Sequence, residues 1–182
     1  MSQPVNLREL NSVMLKAYQQ QLQQAVHDPD RLHRVYGSHF LHADRSKQLD
    51  AICRTAAQVT ASMASEINLL TEDTQITIAQ YGSRLKEVPI AESYCQHQLL
   101  TDNRPMRIDD SLESALLCGM SATVDAGIRA YLGVPLLTSD GWMLGTLCVY
   151  DTKPRVWREQ DVLLLATLAA QVMELEERAD IE

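Results

Sequence analysis

The chain contains 182 residues, enough for one domain with an extension, and its 16 basic and 24 acidic residues give a net charge of -8. This charge disfavours non-specific binding to nucleic acid or to anionic lipid. No apolar run reaches the roughly 18 residues of a membrane span, and the N-terminal residues lack the basic and apolar regions of a signal peptide. We therefore expect a cytoplasmic protein without a nucleic-acid or membrane partner.

The four cysteines are far apart in the sequence and form no C-x-x-C pair: Cys53, Cys95, Cys118 and Cys148. In a reducing compartment this spacing argues against a disulfide framework and a zinc knuckle, so we expect free thiols. Four histidines lie between His27 and His42, but their spacing defines no coordination sphere. No metal site is predicted.

The first 45 residues are predicted to form a helical extension and a connector. Residues 5–26 form an amphipathic helix with one apolar stripe, made of Leu7, Leu10, Met14 and Ala17. Asp28-Pro29 ends this helix, because proline has no N–H to donate and disfavours helix at the residue before it. Residues 31–44 are expected to be a connector with a short helical piece.

The next segment predicts a helix, two strands and a short helix. Apolar residues recur at three- and four-residue steps from Leu49 to Met63, which indicates a helix that begins near Ser46. Strand-like runs follow at 66–70 and 75–80, and the short polar turn between them predicts antiparallel pairing. A short helix is expected at 93–100, where Ser93 is the candidate N-cap.

The C-terminal half contains a hairpin and a long helix. A short strand within residues 104–110 and a helix followed by a loop at 111–126 precede the hairpin. Its two apolar runs meet at Asp140-Gly141, which predicts a type I′ turn because both residues tolerate positive φ. Both faces of the runs are apolar, as in strands at the middle of a sheet. The last helix has more apolar positions than one sheet face can cover.

This order of elements predicts an α+β fold with an antiparallel sheet between helices. Four segments together resemble a GAF domain, the small-molecule sensing and dimerising module of signalling proteins: IAQYG at 78–82, SYCQHQL at 93–99, MRIDD at 106–110 and GVPLLTSDGWMLGTLCVYDTKPRVW at 133–157. The resemblance covers residues from about 46 to 175. It implies a GAF-like, PAS-related central sheet flanked by helices within residues 46–182, preceded by the helical extension of residues 1–45.

The resemblance also implies a pocket between the sheet and residues 93–127. The candidate ligand-binding residues there are Cys95, Asp109, Cys118, Arg129 and Tyr131. The cofactor is unknown, because the motifs of three ligand classes do not fit. Bilin-binding relatives commonly have histidine after the attachment cysteine, whereas Gln96 and Gly119 follow the two candidate cysteines. The motif of cyclic-nucleotide-binding relatives contains a phenylalanine that this module lacks, and His97 is its only histidine for haem or iron.

The function predicted from this resemblance is a signalling module that senses a small molecule, mediates dimerisation, or does both. The chain leaves no room for an output domain after its last helix, so we expect it to act through an unidentified partner or to be part of a longer chain. A homodimer through the terminal helices is predicted, since packing them side by side would bury their apolar stripes. No enzymatic activity is expected.

An enzymatic alternative uses two of the cysteines. Some GAF proteins reduce free methionine sulfoxide with an attacking and a resolving thiol, and Cys95 and Cys118 are the candidates for these roles. Gly119 follows Cys118 where those reductases have an aspartate, and no second cysteine lies close ahead of Cys95, since the preceding one is Cys53. The sensory function is therefore preferred.

Overall fold

The structure, a computed structural model, describes residues 12–44, 46–84 and 86–179. The helices are α1 (Ser12–Val26), α2 (Pro29–Gly37), α3 (His39–His42), α4 (Lys47–Val59), α5 (Ser121–Val124) and α6 (Glu159–Ala179). The strands are β1 (Ala64–Leu70), β2 (Thr74–Tyr81), β3 (Glu87–Pro89), β4 (Met106–Ile108), β5 (Ala130–Leu137) and β6 (Met143–Asp151). Among these helices, none has the length and apolar character needed to cross a membrane.

The strands form one six-stranded sheet in the order β3-β2-β1-β6-β5-β4, with every neighbouring pair antiparallel. The predicted α+β class, the antiparallel pairing of β1 with β2 and the central position of the β5–β6 hairpin are confirmed. Both hairpin strands are buried along most of their length because helices cover both faces of the sheet.

Alternate residues of the central strands pack into two separate cores. On one side, Leu132 and Val134 of β5 belong to a cluster with apolar residues of α4 and α6, and we call this the helical face. On the other side, Tyr131 of β5 and Cys148 of β6 belong to a second cluster with residues of α1 and the 3-10 helix Tyr94–Leu100. We call this second side the cavity face.

Residues 31–44 have more helical structure than the predicted connector, because they include most of α2 and all of α3. Pro29 both ends α1 and begins α2, since its missing N–H costs nothing in the first helical turn. The Asp28 side chain caps α2 by accepting hydrogen bonds from the backbone N–H groups of Asp30 and Arg31. Val35 and Phe40 are buried in the helical-face core, so this part of the extension packs against the domain.

The described part of α1 uses a different face from the predicted stripe. Leu7 and Leu10 lie outside the described residues, and Met14 and Ala17 are exposed. Leu22 and Val26 are buried instead, in the cluster on the cavity face. The buried positions occur in the glutamine-rich half of the helix, where its apolar residues are sparse. Hence α1 and α6 cover opposite faces of the sheet. The exposure of Met14 and Ala17 in a single chain leaves the predicted dimer contact of the stripe untested.

The hairpin loop is one residue longer than predicted. The Gly141 N–H donates to Thr138 O at 2.9 Å and the Thr138 N–H donates to Trp142 O at 2.9 Å. Only Gly141 has positive φ, at +87°, whereas Asp140 does not. This is the pattern of a type I turn followed by a glycine bulge, so the type I′ prediction is wrong. The type I turn spares Asp140 the left-handed conformation, and its carboxylate accepts from Thr138 Oγ1 instead.

The segment between β4 and β5 is less helical than predicted for residues 111–126. It contains a single 3-10 turn, Ser111–Glu113, and the short helix α5, joined by further turns. The predicted helix at 93–100 is a 3-10 helix, and Ser93 precedes it without capping it. The Ser93 hydroxyl donates to the Gln75 side chain of β2 instead. These short elements cover the cavity face without filling it.

Candidate functional site

A cavity of about 580 Å³ lies between the cavity face of the sheet and the elements that follow β2. Its floor comes from β1, β5 and β6, and its wall comes from the 3-10 helix Tyr94–Leu100 and from α5. Arg84, Asp125 and Ala126 at its rim are exposed, so the cavity opens to solvent. Its volume lies within the range of sites that bind small organic ligands.

A buried carboxylate marks the floor of this cavity. Glu66 is 3% exposed, and its Oε1 accepts hydrogen bonds from Lys86 Nζ at 2.7 Å and Tyr150 OH at 2.9 Å. The Ser83 hydroxyl donates to the same oxygen. The Lys86 ammonium compensates the charge of Glu66, as a buried carboxylate requires. Because Ser83 and Lys86 follow β2 at the rim, a ligand that reaches Glu66 must pass these side chains.

A second polar group lies beside Glu66 on the same face. The Asn68 amide nitrogen contacts Cys95 Sγ at 3.6 Å and Cys148 Sγ at 3.7 Å, and the Thr77 hydroxyl fixes the amide by donating to Asn68 Oδ1 at 2.7 Å. Thr146 Oγ1 donates to Cys95 Sγ at 3.1 Å. These buried groups are paired, and they fix the positions of Cys95 and Cys148, which line the cavity.

Tyrosine side chains supply the aromatic part of the lining. Tyr94 and Tyr131 pack edge to face with ring centroids 5.6 Å apart, and the Tyr131 hydroxyl lies 3.3 Å from Cys95 Sγ. Gly133 leaves the space for the Tyr131 ring, because a Cβ at that position would lie 2.5 Å from the Tyr131 hydroxyl. Burial raises the pKa of Tyr131 well above its ordinary value, so this hydroxyl stays protonated at neutral pH.

Helix α1 contacts the outer side of the cavity wall. The Tyr18 hydroxyl is hydrogen-bonded to His97 Nδ1 at 2.8 Å, and the two rings stack with centroids 5.8 Å apart. His97 belongs to the same 3-10 helix as Cys95 and is 8% exposed. If a bound molecule displaced this 3-10 helix, the contact between His97 and Tyr18 would therefore change and α1 would be affected directly.

The GAF family model matches residues 44–174, which is most of the chain. The chain belongs to the GAF domain family. A curated relative, the cyclic di-GMP phosphodiesterase PA2567 of Pseudomonas aeruginosa, is 32% identical over 108 residues. That match covers 59% of this chain and 18% of the relative, so it spans only a small part of the relative's length.

Solved GAF structures show the same fold at low sequence identity. The cyanobacteriochrome receptor PixJ aligns with a TM-score of 0.64 and 18% identity over 77% of this chain and 99% of that chain. The GAF domain of an Acinetobacter phosphoenolpyruvate-protein phosphotransferase aligns with a TM-score of 0.60 and 17% identity, over 94% of this chain and 98% of that chain. The type II free methionine-R-sulfoxide reductase of Thermoplasma acidophilum aligns with a TM-score of 0.59 and 14% identity, over 72% of this chain and 91% of that chain.

The GAF module brings only part of the predicted ligand-binding set to the cavity. Cys95 and Tyr131 line it. Arg129 lies outside the lining, because the Asp110 carboxylate holds its guanidinium at 2.7 and 2.6 Å. Asp109 is exposed, and its backbone carbonyl accepts a hydrogen bond from the backbone N–H of Arg155 near α6. Cys118 is exposed on the loop before α5 and also lies outside the lining.

Sequence reasoning missed Glu66, Cys148 and Tyr150, which line the GAF cavity, and Asn68 and Thr146, which lie beside it. The sequence nevertheless contains a signal for these residues. Strand β1 is buried throughout, yet it has polar residues at alternate positions, Glu66 and Asn68. Strand β6 repeats this pattern with Thr146, Cys148 and Tyr150. Polar residues at two-residue spacing in fully buried strands share one face and need partners, which indicates a polar site on that face.

The chemistry of this lining suits an organic ligand with an apolar body and polar groups. Within the described parts of the chain, no cluster of three or more His, Cys, Asp and Glu side chains is arranged to hold a metal ion. The tyrosine rings offer apolar surface and the buried carboxylate and hydroxyls offer hydrogen-bonding partners.

His97, in the wall of the GAF cavity, is predicted to make the stability of the protein depend on pH. Burial lowers the pKa of His97 from 6.5 to about 4, so the unfolded state binds more protons between these values. The contribution of His97 to the free energy of unfolding should be fully present above about pH 6.5. It should be lost as the pH decreases towards 4, by up to about 3 kcal/mol. Urea unfolding across this range measures it. In His97→Gln the acid loss should be smaller by that amount, and equal pH slopes in both proteins would contradict the burial of a neutral His97.

Proposed function

We propose that this GAF module senses a small organic molecule bound in the cavity and passes its occupancy to a signalling partner. The observation that carries the proposal is the open cavity of about 580 Å³ with a paired, polar floor around Glu66. A cavity that served packing alone would be filled by apolar side chains, because interiors pack densely. The family's sensory role supports the same conclusion.

The route from the cavity to a partner is proposed to run through the cavity wall and α1. A ligand against Cys95 contacts the 3-10 helix Tyr94–Leu100, and His97 of that helix stacks on Tyr18 of α1. Similarity to a segment of a cyclic di-GMP phosphodiesterase supports a setting in which the partner is an enzyme of second-messenger signalling. The cysteine spacing supports a cytoplasmic setting, which we retain as part of the proposal.

Native mass spectrometry tests for the ligand. The purified protein is sprayed from a volatile buffer before and after incubation with a low-molecular-weight extract of its producing cells, and then again after denaturation. We expect an added mass, released on denaturation, that corresponds to a compound small enough for the cavity. A spectrum that contains only the mass of the polypeptide under all conditions would contradict the proposal.

Of the two terminal helices predicted to form a homodimer, we propose that α6 makes the central contact of the signalling assembly. Leu163 on α6 is 67% exposed, and the exposed Ala166 and Ala170 follow it at three- and four-residue steps. Such a stripe suits side-by-side packing of α6 against a second copy across a two-fold axis. Helix α1 lies on the opposite face of the sheet, so we do not include its described part in the proposed contact between the two α6 helices.

Sedimentation equilibrium of Leu163→Glu tests the dimer. We expect the wild-type protein to sediment above its monomer mass of 20.4 kDa at micromolar concentration, and we expect the variant to dissociate because a carboxylate would be buried without a partner. Leu112→Glu is the matched control, since Leu112 is 53% exposed and lies outside the terminal helices. A wild-type monomer, or a dimer unaffected by Leu163→Glu, would contradict this interface.

A thiol-dependent reductase remains the alternative, supported by the structural likeness to the Thermoplasma acidophilum enzyme and by Cys95 in the cavity lining. The predicted resolving thiol, Cys118, is exposed outside that lining, which weighs against the pair. We expect no NADPH consumption that depends on free methionine sulfoxide in the presence of thioredoxin and its reductase. Turnover that is lost in Cys95→Ser would favour the enzyme instead.

A further inference from the structure

Two cysteines that are far apart in the sequence meet at the floor of the cavity. Cys95 comes from the 3-10 helix and Cys148 from β6, and the Asn68 amide nitrogen lies 3.6 Å from one sulfur and 3.7 Å from the other. Each thiol shifts the pKa of the other, as neighbouring groups do. Of the remaining cysteines, Cys53 is buried on the helical face and Cys118 is exposed.

The two thiols differ in their surroundings, and the difference suits one nucleophile and one resolving thiol. Thr146 Oγ1 donates to Cys95 Sγ at 3.1 Å and the Tyr131 hydroxyl lies 3.3 Å from it, and neither group is hydrogen-bonded to Cys148 Sγ. The neighbouring Cys148 and these two hydroxyls lower the pKa of Cys95, although burial and the Glu66 carboxylate oppose them. The neighbouring Cys95 thiol and burial raise the pKa of Cys148, and Lys86 only partly offsets them. The thiolate is the reactive form of cysteine, so Cys95 is the better nucleophile of the two.

A small oxidant can reach both sulfurs through the cavity. Cys95 and Cys148 are 3% and 1% exposed, but both line the cavity, which opens at its rim. Hydrogen peroxide is scarcely larger than water and can enter, whereas a protein or peptide disulfide is too large to reach this floor. Small peroxides therefore meet the size limit for reaching both sulfurs.

We propose that Cys95 and Cys148 form a reversible intramolecular disulfide when a small peroxide enters the cavity. The Cys95 thiolate attacks a peroxide oxygen, the O–O bond breaks, and a sulfenic acid and hydroxide form; the hydroxide takes a proton and leaves as water. The Cys148 sulfur then attacks Cys95 Sγ, the S–O bond breaks, and the Cys148 proton leaves with the hydroxyl group as a second water. The two thiols lose two electrons in total and the peroxide gains them.

The disulfide changes the floor of the cavity. It replaces the Cys95 sulfur that accepts hydrogen bonds from Thr146 and Tyr131 with a weaker acceptor, and it links the wall helix covalently to β6. A dithiol reductant reverses both changes by thiol–disulfide exchange once it gains access through local opening. This inference requires entry of a peroxide only, and it stands independently of the proposed signalling ligand.

Peptide mapping of the wild-type protein tests the inference. Reduced protein at low concentration is treated with a stoichiometric amount of hydrogen peroxide, its remaining thiols are alkylated, and it is digested without reductant. We expect one cross-linked pair of peptides that contains Cys95 and Cys148, two fewer alkylated cysteines per chain, and recovery of both thiols after dithiothreitol. Alkylation of both cysteines after treatment, or oxidation of Cys95 to a sulfinic acid without the cross-link, would overturn the proposal.

Two variants separate this pair from the other thiols. Cys118→Ser should form the cross-link as fast as the wild type, because Cys118 is exposed outside the cavity. Cys148→Ser should leave Cys95 as a sulfenic acid that dimedone labels, because the resolving thiol is gone. A cross-link that requires Cys118, or no dimedone label on folded Cys148→Ser, would contradict the assignment. If Cys148→Ser does not fold, the wild-type map decides alone.

Discussion

Gly145→Ala is expected to abolish the native sheet, with a loss of more than about 4 kcal/mol in the free energy of unfolding. A Cβ at this position would overlap the carbonyl oxygen of Asn68 and lie 2.8 Å from the Asn68 carbonyl carbon and 2.9 Å from Leu69 Cα. These are backbone atoms of β1, so no side-chain rotation relieves the overlap. Strand β6 is held between β1 and β5, where Gly145 pairs with Leu69 and Leu136, and it cannot shift without breaking both ladders.

Gly119→Ala is the matched control for this prediction. A Cβ on Gly119 would meet no atom within 4 Å, so the free energy of unfolding should stay within about 0.5 kcal/mol of wild type. Urea denaturation followed by tryptophan fluorescence compares the three proteins. A Gly145→Ala midpoint close to that of the control would mean that β1 and β6 are not as close as described.

Arg31→Met is expected to cost about 3 kcal/mol or more. The Arg31 side chain is 3% exposed, and its guanidinium donates to the backbone carbonyls of Ala25 at 3.2 Å, Val26 at 2.7 Å and Leu70 at 2.7 Å. These bonds join the end of α1 to the end of β1. Methionine fills a similar volume but leaves buried carbonyls without these donors, and each charged hydrogen bond contributes about 1.5 to 3 kcal/mol.

Arg34→Met separates this effect from the general loss of an arginine. Arg34 pairs with Asp140 at the surface, where both side chains are 43% exposed, and such pairs contribute at most about 1 kcal/mol. Hydrogen exchange adds a local readout, because the amides of α1 should exchange faster in Arg31→Met than in Arg34→Met. Equal midpoints and equal α1 exchange in the two variants would contradict the role of Arg31.

The sheet was predictable because its signals are local. Strands β1 and β2 and the hairpin strands follow from apolar runs broken by short polar turns, and the two-sided burial of the hairpin follows from apolar residues on both of its faces. The turn type was not predictable from Asp140-Gly141 alone. The Thr138 and Arg34 side chains hold the Asp140 carboxylate, and these contacts favour a type I turn that a dipeptide preference cannot reveal.

The cavity was harder to predict because its residues come together only through pairing across the sheet. Asn68 lies opposite Thr146 and Glu66 lies opposite Cys148 in the β1–β6 ladder, and the 3-10 helix that contains Cys95 packs against these two strands. Sequence reasoning paired Cys95 with Cys118, since both belong to the segment near the expected pocket. The fold directs Cys118 to the surface, and the nearer thiol comes from a strand more than fifty residues away along the chain.

The affinity of the cavity for its ligand tests the central claim most directly. A compound identified by native mass spectrometry is titrated by calorimetry into wild-type protein, Ala122→Phe and Ala51→Phe. Ala122 lines the cavity on α5, whereas Ala51 is exposed on α4 over the helical face. We predict that Ala122→Phe abolishes binding by filling the cavity and that Ala51→Phe binds as tightly as wild type. Unchanged affinity in a folded Ala122→Phe would contradict the claim that this cavity is the sensory site.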